Sequence, residues 1–179
     1  SSKNLRERLC IPEHATVFGR YGGEDTFNIP FCWEVIAEIV STRTDIYFLF
    51  INTPKCVSHP NVIYLDKITE EHEKNAFIST CDAHLECGTL GHSFGLSLAE
   101  FSVNNKPLIL YKSDTLWNNA HISIIGDKGI YFTNREEFFE VLTRFKKEDR
   151  KGKDLNCYTE YTPEKVMKIF EKVFIFPQS

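Results

Sequence analysis

The chain has 179 residues, 42% of them apolar and fifteen of them Phe, which is ample for one packed core and large for two. Its net charge of −4 is spread without blocks, and no basic cluster is interleaved with aromatics, which argues against nucleic acid as a partner. No apolar run reaches membrane-spanning length, and the opening "SSKNLRERLC" is polar and charged rather than a signal peptide, so a soluble, cytoplasmic protein is expected, opening on Ser1 rather than Met as a trimmed chain would.

Taken in order, "ATVFGR" (15–20) reads as a buried strand after a lead-in segment (1–13). "PFCWEVIAEIVSTR" (30–43) reads as an amphipathic helix with Pro30 near its first turn, and "DIYFLFINT" (45–53) as an almost wholly apolar strand. "NVIYLD" (61–66) is strand again, and "TEEHEKNAFISTC" (69–81) a helix opening on Thr69 as its cap, with acids in the first turn. "DAHLEC" (82–87) as strand, "SFGLSLAEFSVNN" (93–105) as helix and "KPLILYK" (106–112) as strand complete the regular part. Beyond it come a short strand "GIYFT" (129–133), a helix "REEFFEVLTRF" (135–145) and a surface loop over 146–161 that begins with the charged "KKEDRKGKDLN". A closing helix over 162–174 is capped by Thr162, with Pro163 at its first position. Strands apolar on both faces and separated by helices imply one Rossmann-like α/β domain spanning 1–179, its mostly parallel sheet covered on both sides.

The six cysteines contain no C-x-x-C pair and the six histidines no H-x-x-x-H pair. Neither a zinc site nor a disulfide framework fits, so reduced and mostly buried thiols are expected and no metal site.

Two loops are candidates for chemistry. In "FGRYGGEDTFNIP", Arg20 stands at the end of the first strand and Gly22-Gly23 in the turn. In open parallel sheets ligands bind outside the carboxyl ends of the strands, and a glycine pair admits close backbone approach. Neither G-x-G-x-x-G nor a P-loop is present, and taken alone this loop reads equally as a glycine turn with a surface arginine. In "ECGTLGHSFGLSLAEF", Gly88, Gly91 and Gly95 surround Ser93 and Phe94 at a helix start, where backbone N–H groups suit a diphosphate and Arg20 can add a charged fork. Glu100 follows inside a helix whose Leu96, Leu98 and Phe101 look like core. A partly buried carboxylate there suits a vicinal diol such as ribose; the alternative is a solvent-facing helix glutamate.

The order "GHSFGLSLAE" then "FSVNNKPLILY" resembles the donor-binding signature of retaining GT-B glycosyltransferases, a Gly-rich loop and helix ending in a Glu, followed by a strand entered through "KP". "NLRERLCIPEHATVFGRYGG" is similar to the start of the C-terminal domain of those enzymes, "HPNVIYLDKI" to the segment beside the nucleotide base, and "AHISIIGDKGIYF" extends the match to most of the chain. The resemblance implies half an enzyme, a domain that binds a UDP- or GDP-type nucleotide-sugar and faces an N-terminal acceptor-binding domain missing from this chain. It implies that Arg20 and the backbone around Gly22, Gly23, Gly91, Ser93, Phe94, Gly95 and Leu96 hold the diphosphate, that Glu100 takes the ribose, and that no metal or other cofactor is required. No D-x-D motif is present.

Three positions depart from the family pattern. Its carboxylate pair is Glu, seven residues, Glu, and the position paired with Glu100 is His92, expected to face the sugar or the phosphate. The basic residue that usually follows the first-strand arginine by six positions is Thr26, and "ECGTLG" supplies no second arginine. These departures keep open a non-catalytic nucleotide-binding or interaction domain of the same fold. A cysteine hydrolase using Cys87 with His84 or His92 is disfavoured, since no nucleophile elbow is present.

Overall fold

The computed structural model describes residues 4–92, 94–116, 118–162, 164, 165 and 168. Six strands form one parallel sheet: β1 (Thr16–Tyr21), β2 (Ile46–Ile51), β3 (Val62–Leu65), β4 (Ala83–Glu86), β5 (Leu108–Tyr111) and β6 (Ile130–Phe132), in the order β3-β2-β1-β4-β5-β6. The β1–β2 register runs from Thr16↔Ile46 to Tyr21↔Ile51, and β4 joins the other side of β1 through Phe18↔Ala83 and Gly19↔His84. This is a doubly wound Rossmann-type sheet, wholly parallel where a mostly parallel one was expected. Its central strands are apolar because both faces are covered: "IYFLFI" of β2 is buried along almost its whole length.

On one face lie α2 (Pro30–Thr42) and α6 (Arg135–Arg144). Cys32, Val35, Ile36, Ile39 and Val40 of α2 recur at helical spacing and pack on Phe18, Phe48 and Phe50. Asn134 caps α6 by accepting from the Glu137 amide at 2.9 Å, while the Glu137 carboxylate accepts from the Thr133 amide at 2.7 Å. The other face carries α3 (Glu71–Thr80) and α4 (Leu96–Val103), whose Phe77, Ile78, Leu98 and Phe101 pack on Val17, Leu49 and Ile51. Two short helices, α1 (Leu5–Arg8) and α5 (Ala120–Ile125), lie elsewhere among the described residues. No helix among the described residues is long and apolar enough to cross a membrane.

Several elements differ from expectation. The N-cap of α3 is Glu70, in extended conformation, rather than Thr69, and its side chain makes no capping bond; the acids of the first turn meet the helix dipole instead. Gly95 is the N-cap of α4 and takes φ +76°, so the helix starts at Leu96 and Phe94 belongs to the loop. The segment 146–161 is only partly a surface loop. Lys147–Arg150 form a 3-10 turn, Asn105 bonds both the Lys153 carbonyl and the Leu155 amide, and Leu155 and Tyr158 are buried. Of the expected closing helix, most lies outside the described residues; the Thr162 hydroxyl accepts from the Lys165 amide at 3.2 Å, as a cap does. All six cysteines are free, but only Cys32, Cys81 and Cys87 are buried, while Cys10 and Cys56 are exposed.

Candidate functional site

The strand order reverses between β1 and β4, so the loops after these two strands flank the crevice where doubly wound sheets take their ligands. The two loops are tied together. The Asn28 amide donates to the Cys87 carbonyl at 3.2 Å, and the Asn28 side chain both accepts from the Thr89 amide at 3.0 Å and donates to the Thr89 hydroxyl at 2.9 Å. Gly88 allows this approach, since a Cβ there would stand 2.4 Å from the Thr26 carbonyl oxygen.

Arg20 is completely buried, with its guanidinium turned onto its own loop rather than outward. Nη1 donates to the Thr53 hydroxyl at 2.6 Å, and Nη2 donates to the Gly23 carbonyl at 2.7 Å and to the Thr26 hydroxyl. Phe27 covers the group at 5.5 Å. Burial pushes the Arg20 pKa down, and the charges of Glu86 and Cys87 work against that. Thr26, at the position where the resemblance leads one to expect a second cation, is therefore a partner of the first. Gly23 contributes its carbonyl to the same clasp, while Gly22 reaches the cleft described next.

A cleft of about 430 Å³ opens at the carboxyl end of the sheet, lined among others by Tyr21 and Gly22 after β1, Asn52 after β2, Lys74 of α3, and Leu96 and Glu100 of α4. This volume lies within the range of small-molecule sites. The Glu100 side chain is 12% exposed, and its Oε1 lies 2.5 Å from Lys74 Nζ. Burial pushes Glu100 up to about 7 and pushes Lys74 down. The contact between them favours both charged forms and opposes both shifts.

The loop leading into α4 is held from behind. Gly91 takes φ +66° and bridges Asn118, where a Cβ would stand 1.6 Å from the Asn118 carbonyl oxygen. His121 of α5 places its Nδ1 2.9 Å from the His92 carbonyl oxygen. The Phe94 carbonyl accepts from the Tyr158 hydroxyl at 2.6 Å, and its ring packs on Tyr158 and Tyr161. Ser93 lies outside the described residues.

Glu86 ends β4 and is 4% exposed. Its Oε2 stands 3.2 Å from His92 Nε2 and 3.7 Å from His84 Nε2. Burial alone would raise the Glu86 carboxyl, but contact with His84 and His92 holds it down to about 2. For His92, burial disfavours the charge, yet the Glu86 carboxylate outweighs it and raises the pKa above the ordinary value. Burial lowers His84 and His121.

The structure thus gathers Gly22, Leu96 and Glu100 at one cleft, sets Arg20 and Gly23 behind the first loop, and sends the Phe94 side chain to the tyrosines. Lys74, Glu86, Asn28 and Tyr158 were not among the expected site residues. Only Glu86 left a signal, because His84 and Glu86 alternate with apolar neighbours in a strand read as buried, putting two ionisable groups on one covered face.

No protein-family profile matches the sequence, and no curated protein matches it either. Solved structures do. The Anabaena protein HepE, crystallised with UDP and glucose, superposes with a TM-score of 0.69 at 12% identity over 94% of this chain and 50% of its own. WaaG, a glycosyltransferase involved in lipopolysaccharide biosynthesis, gives 0.67 at 13% identity over 97% of this chain and 50% of its own. The C-terminal domain of a group 1 family glycosyl transferase, LpcC, from Francisella tularensis gives 0.61 at 15% identity over 91% of this chain and 95% of that domain. The chain spans about half the length of HepE and WaaG. Its fold is that of one half of a GT-B glycosyltransferase, matching an isolated C-terminal domain over nearly its whole length.

Proposed function

We propose that the chain is the nucleotide-sugar-binding domain of a glycosyltransferase that moves a sugar from a nucleoside-diphosphate donor to an acceptor, with retention at the anomeric carbon. The observation that carries this reading is Glu100 inside a cleft at the carboxyl end of the sheet, facing the Gly22 loop and the start of α4. A carboxylate there accepts both hydroxyls of a ribose. Backbone N–H groups of the loop from Gly91 to Leu96 and the start of α4 would hold the diphosphate, with His92 as the nearby cation. The departing diphosphate is then met by protein charge and amides, and no metal is assigned a role. The acceptor side of the reaction is assigned to a separate N-terminal domain.

Thermal denaturation with a panel of nucleoside diphosphates and nucleotide-sugars tests the reading. At a hundredfold excess over its dissociation constant, a true ligand stabilises the fold by about 2.7 kcal/mol. The chain alone is expected to bind the donor and to transfer no sugar at an appreciable rate. A flat response to the whole panel, or multiple-turnover transfer by the chain alone, would contradict it.

A second reading, a non-catalytic nucleotide-binding domain, is favoured by one observation: the Arg20 guanidinium is engaged with Thr53, Gly23 and Thr26. Donor binding without transfer even when an acceptor domain is supplied would decide for it.

A further inference from the structure

Glu86 is a buried group that the proposed function leaves without a role. An ionised carboxylate in a covered sheet is costly unless it is paired. The groups facing the pair it makes come from three directions: Arg20 from β1, His84 and Cys87 from β4 and its end, and His121 from α5, whose ring centroid is 5.4 Å from that of His92. Of the three histidines only His92 is favoured as a cation; burial keeps His84 and His121 neutral, and Arg20 repels a proton on His92 without overcoming the carboxylate. No group of three or more His, Cys, Asp or Glu among the described residues is arranged to hold a metal ion.

We infer that Glu86 is a positioning residue: it fixes the His92 ring through Nε2 and keeps it an imidazolium, leaving Nδ1–H as a charged donor for the diphosphate of a nucleotide-sugar. The inference rests on the nucleotide-sugar reading above. An imidazolium has two N–H groups and no acceptor, and the Glu86 carboxylate stands in ion-pair contact with one of them at 3.2 Å. The His92 side chain remains 23% exposed, four residues before Leu96 of the cleft wall. A cation is needed at this point because Arg20 is completely buried and both its Nη atoms are engaged with the protein. In the proposed transfer the bond between the anomeric carbon and the diphosphate oxygen breaks and its electron pair goes to that oxygen, while the acceptor hydroxyl oxygen bonds the anomeric carbon and releases its proton to the departing diphosphate. His92 answers the charge while keeping its proton, so no acid need be regenerated.

The test uses the full chain and UDP-glucose, whose diphosphate keeps both charges near neutral pH. Calorimetric titrations across about pH 6 to about pH 8 are run on wild type, Glu86→Gln, His92→Asn and the double variant, and the His92 ring is followed by NMR without ligand. In wild type the affinity, taken relative to His92→Asn at the same pH so that the shared ionisation of Glu100 cancels, falls as pH rises past the raised His92 titration. In Glu86→Gln that fall and the NMR titration both move to lower pH, and affinity near neutrality drops about tenfold. His92→Asn shows the same loss near neutrality and lacks this fall, keeping only the rise with pH that ionisation of Glu100, pushed up to about 7, gives all four proteins, and adding Glu86→Gln to it costs nothing further. If Glu86→Gln does not fold by circular dichroism, His92→Asn decides: unchanged affinity and an unchanged pH profile overturn the proposal. UDP-glucose binding that is indifferent to Glu86→Gln at every pH overturns it while leaving the nucleotide-sugar reading intact. Absence of binding by wild type to UDP-glucose and to every other member of the nucleotide panel overturns both.

Discussion

Lys74 Nζ stands 2.5 Å from Glu100 Oε1, joining α3 to α4 across the wall of the cleft. The ribose diol proposed as a ligand needs this carboxylate ionised, yet its burial pushes it up to about 7. The ammonium at contact is the group that holds it ready. On the proposed function the pair belongs to the binding site even though Lys74 has no direct contact assigned with the nucleotide.

Replacing Lys74 by Met removes the cation and leaves burial to act alone, so the Glu100 carboxyl titrates above its wild-type value. The affinity of Lys74→Met for UDP-glucose is expected to be weaker than wild type at about pH 6 and to recover toward wild type at about pH 8, as the carboxyl ionises. Calorimetry at the two pH values checks the sign. A loss of equal size at both would mean that Lys74 touches the ligand itself.

Glu100→Gln keeps the shape and removes the charge. Donor affinity should fall by about 1.5–3 kcal/mol, the worth of a hydrogen bond to an ionised group. Two effects on the free protein oppose each other: Gln spares the burial of a carboxylate but leaves Lys74 without its partner. The melting temperature is expected to stay within about 2–4 °C of wild type, the shift that about 1 kcal/mol makes in a domain of this size. Competition between UDP and its 2′,3′-dideoxy analogue supplies the control. Wild type should prefer the ribose, and the variant should lose that preference.

Most of the sheet was legible because its determinants are local. The unbroken apolar run of β2 and the period of Cys32, Val35, Ile36 and Ile39 in α2 fix strand, helix and buried face without reference to the rest of the chain. The two glycine loops were also legible, as was Glu100 as a partly buried carboxylate. What escaped depends on tertiary approach or on one dihedral angle. "SFGLSLAE" keeps helical apolar spacing straight through Gly95, and nothing in that spacing shows the glycine turning to φ +76° and delaying the helix to Leu96. Arg20 read as an outward fork because Thr26 and Thr53, six and thirty-three residues away, reveal themselves as its partners only once β1 and β2 are paired. Tyr158 was hidden by the charged stretch before it, whose composition says solvent while its own ring is buried.

The Glu86–His92 pair also sets a dependence of stability on pH. A histidine whose folded pKa is raised contributes stability fully present below its ordinary value, about 6.5, and lost as pH rises through the folded value. Comparing His92→Asn with wild type should therefore show a larger loss of melting temperature at about pH 6 than at about pH 8. His84 and His121, lowered first by burial and also by the His92 charge, act in the opposite sense, losing stability as pH falls below their ordinary value, so their partial release in His92→Asn makes this difference smaller. A loss independent of pH would show that the His92 contribution is packing and not charge.

The segment after Lys153 acts as a strap for the site. Asn105 holds its beginning, the Ser102 hydroxyl accepts from the Cys157 amide at 2.7 Å, and the Tyr158 hydroxyl donates to the Phe94 carbonyl at 2.6 Å, one residue before the left-handed Gly95 that starts α4. Tyr158→Phe keeps the ring packing on Phe94 and Tyr161 but leaves that carbonyl unpartnered, which should cost about 1–3 kcal/mol. Tyr158→Ala also empties a buried ring site, and the total should reach about 3–5 kcal/mol. Because the strap holds the loop proposed to present backbone amides to the diphosphate, donor affinity should fall in both variants at temperatures where they remain folded. The affinity for uridine, which needs only the Glu100 end of the cleft, should change much less. Chemical denaturation gives the stability terms, and calorimetry with UDP-glucose and uridine separates the two ends. Equal losses for both ligands would mean that the whole cleft, and not only the diphosphate loop, depends on the strap.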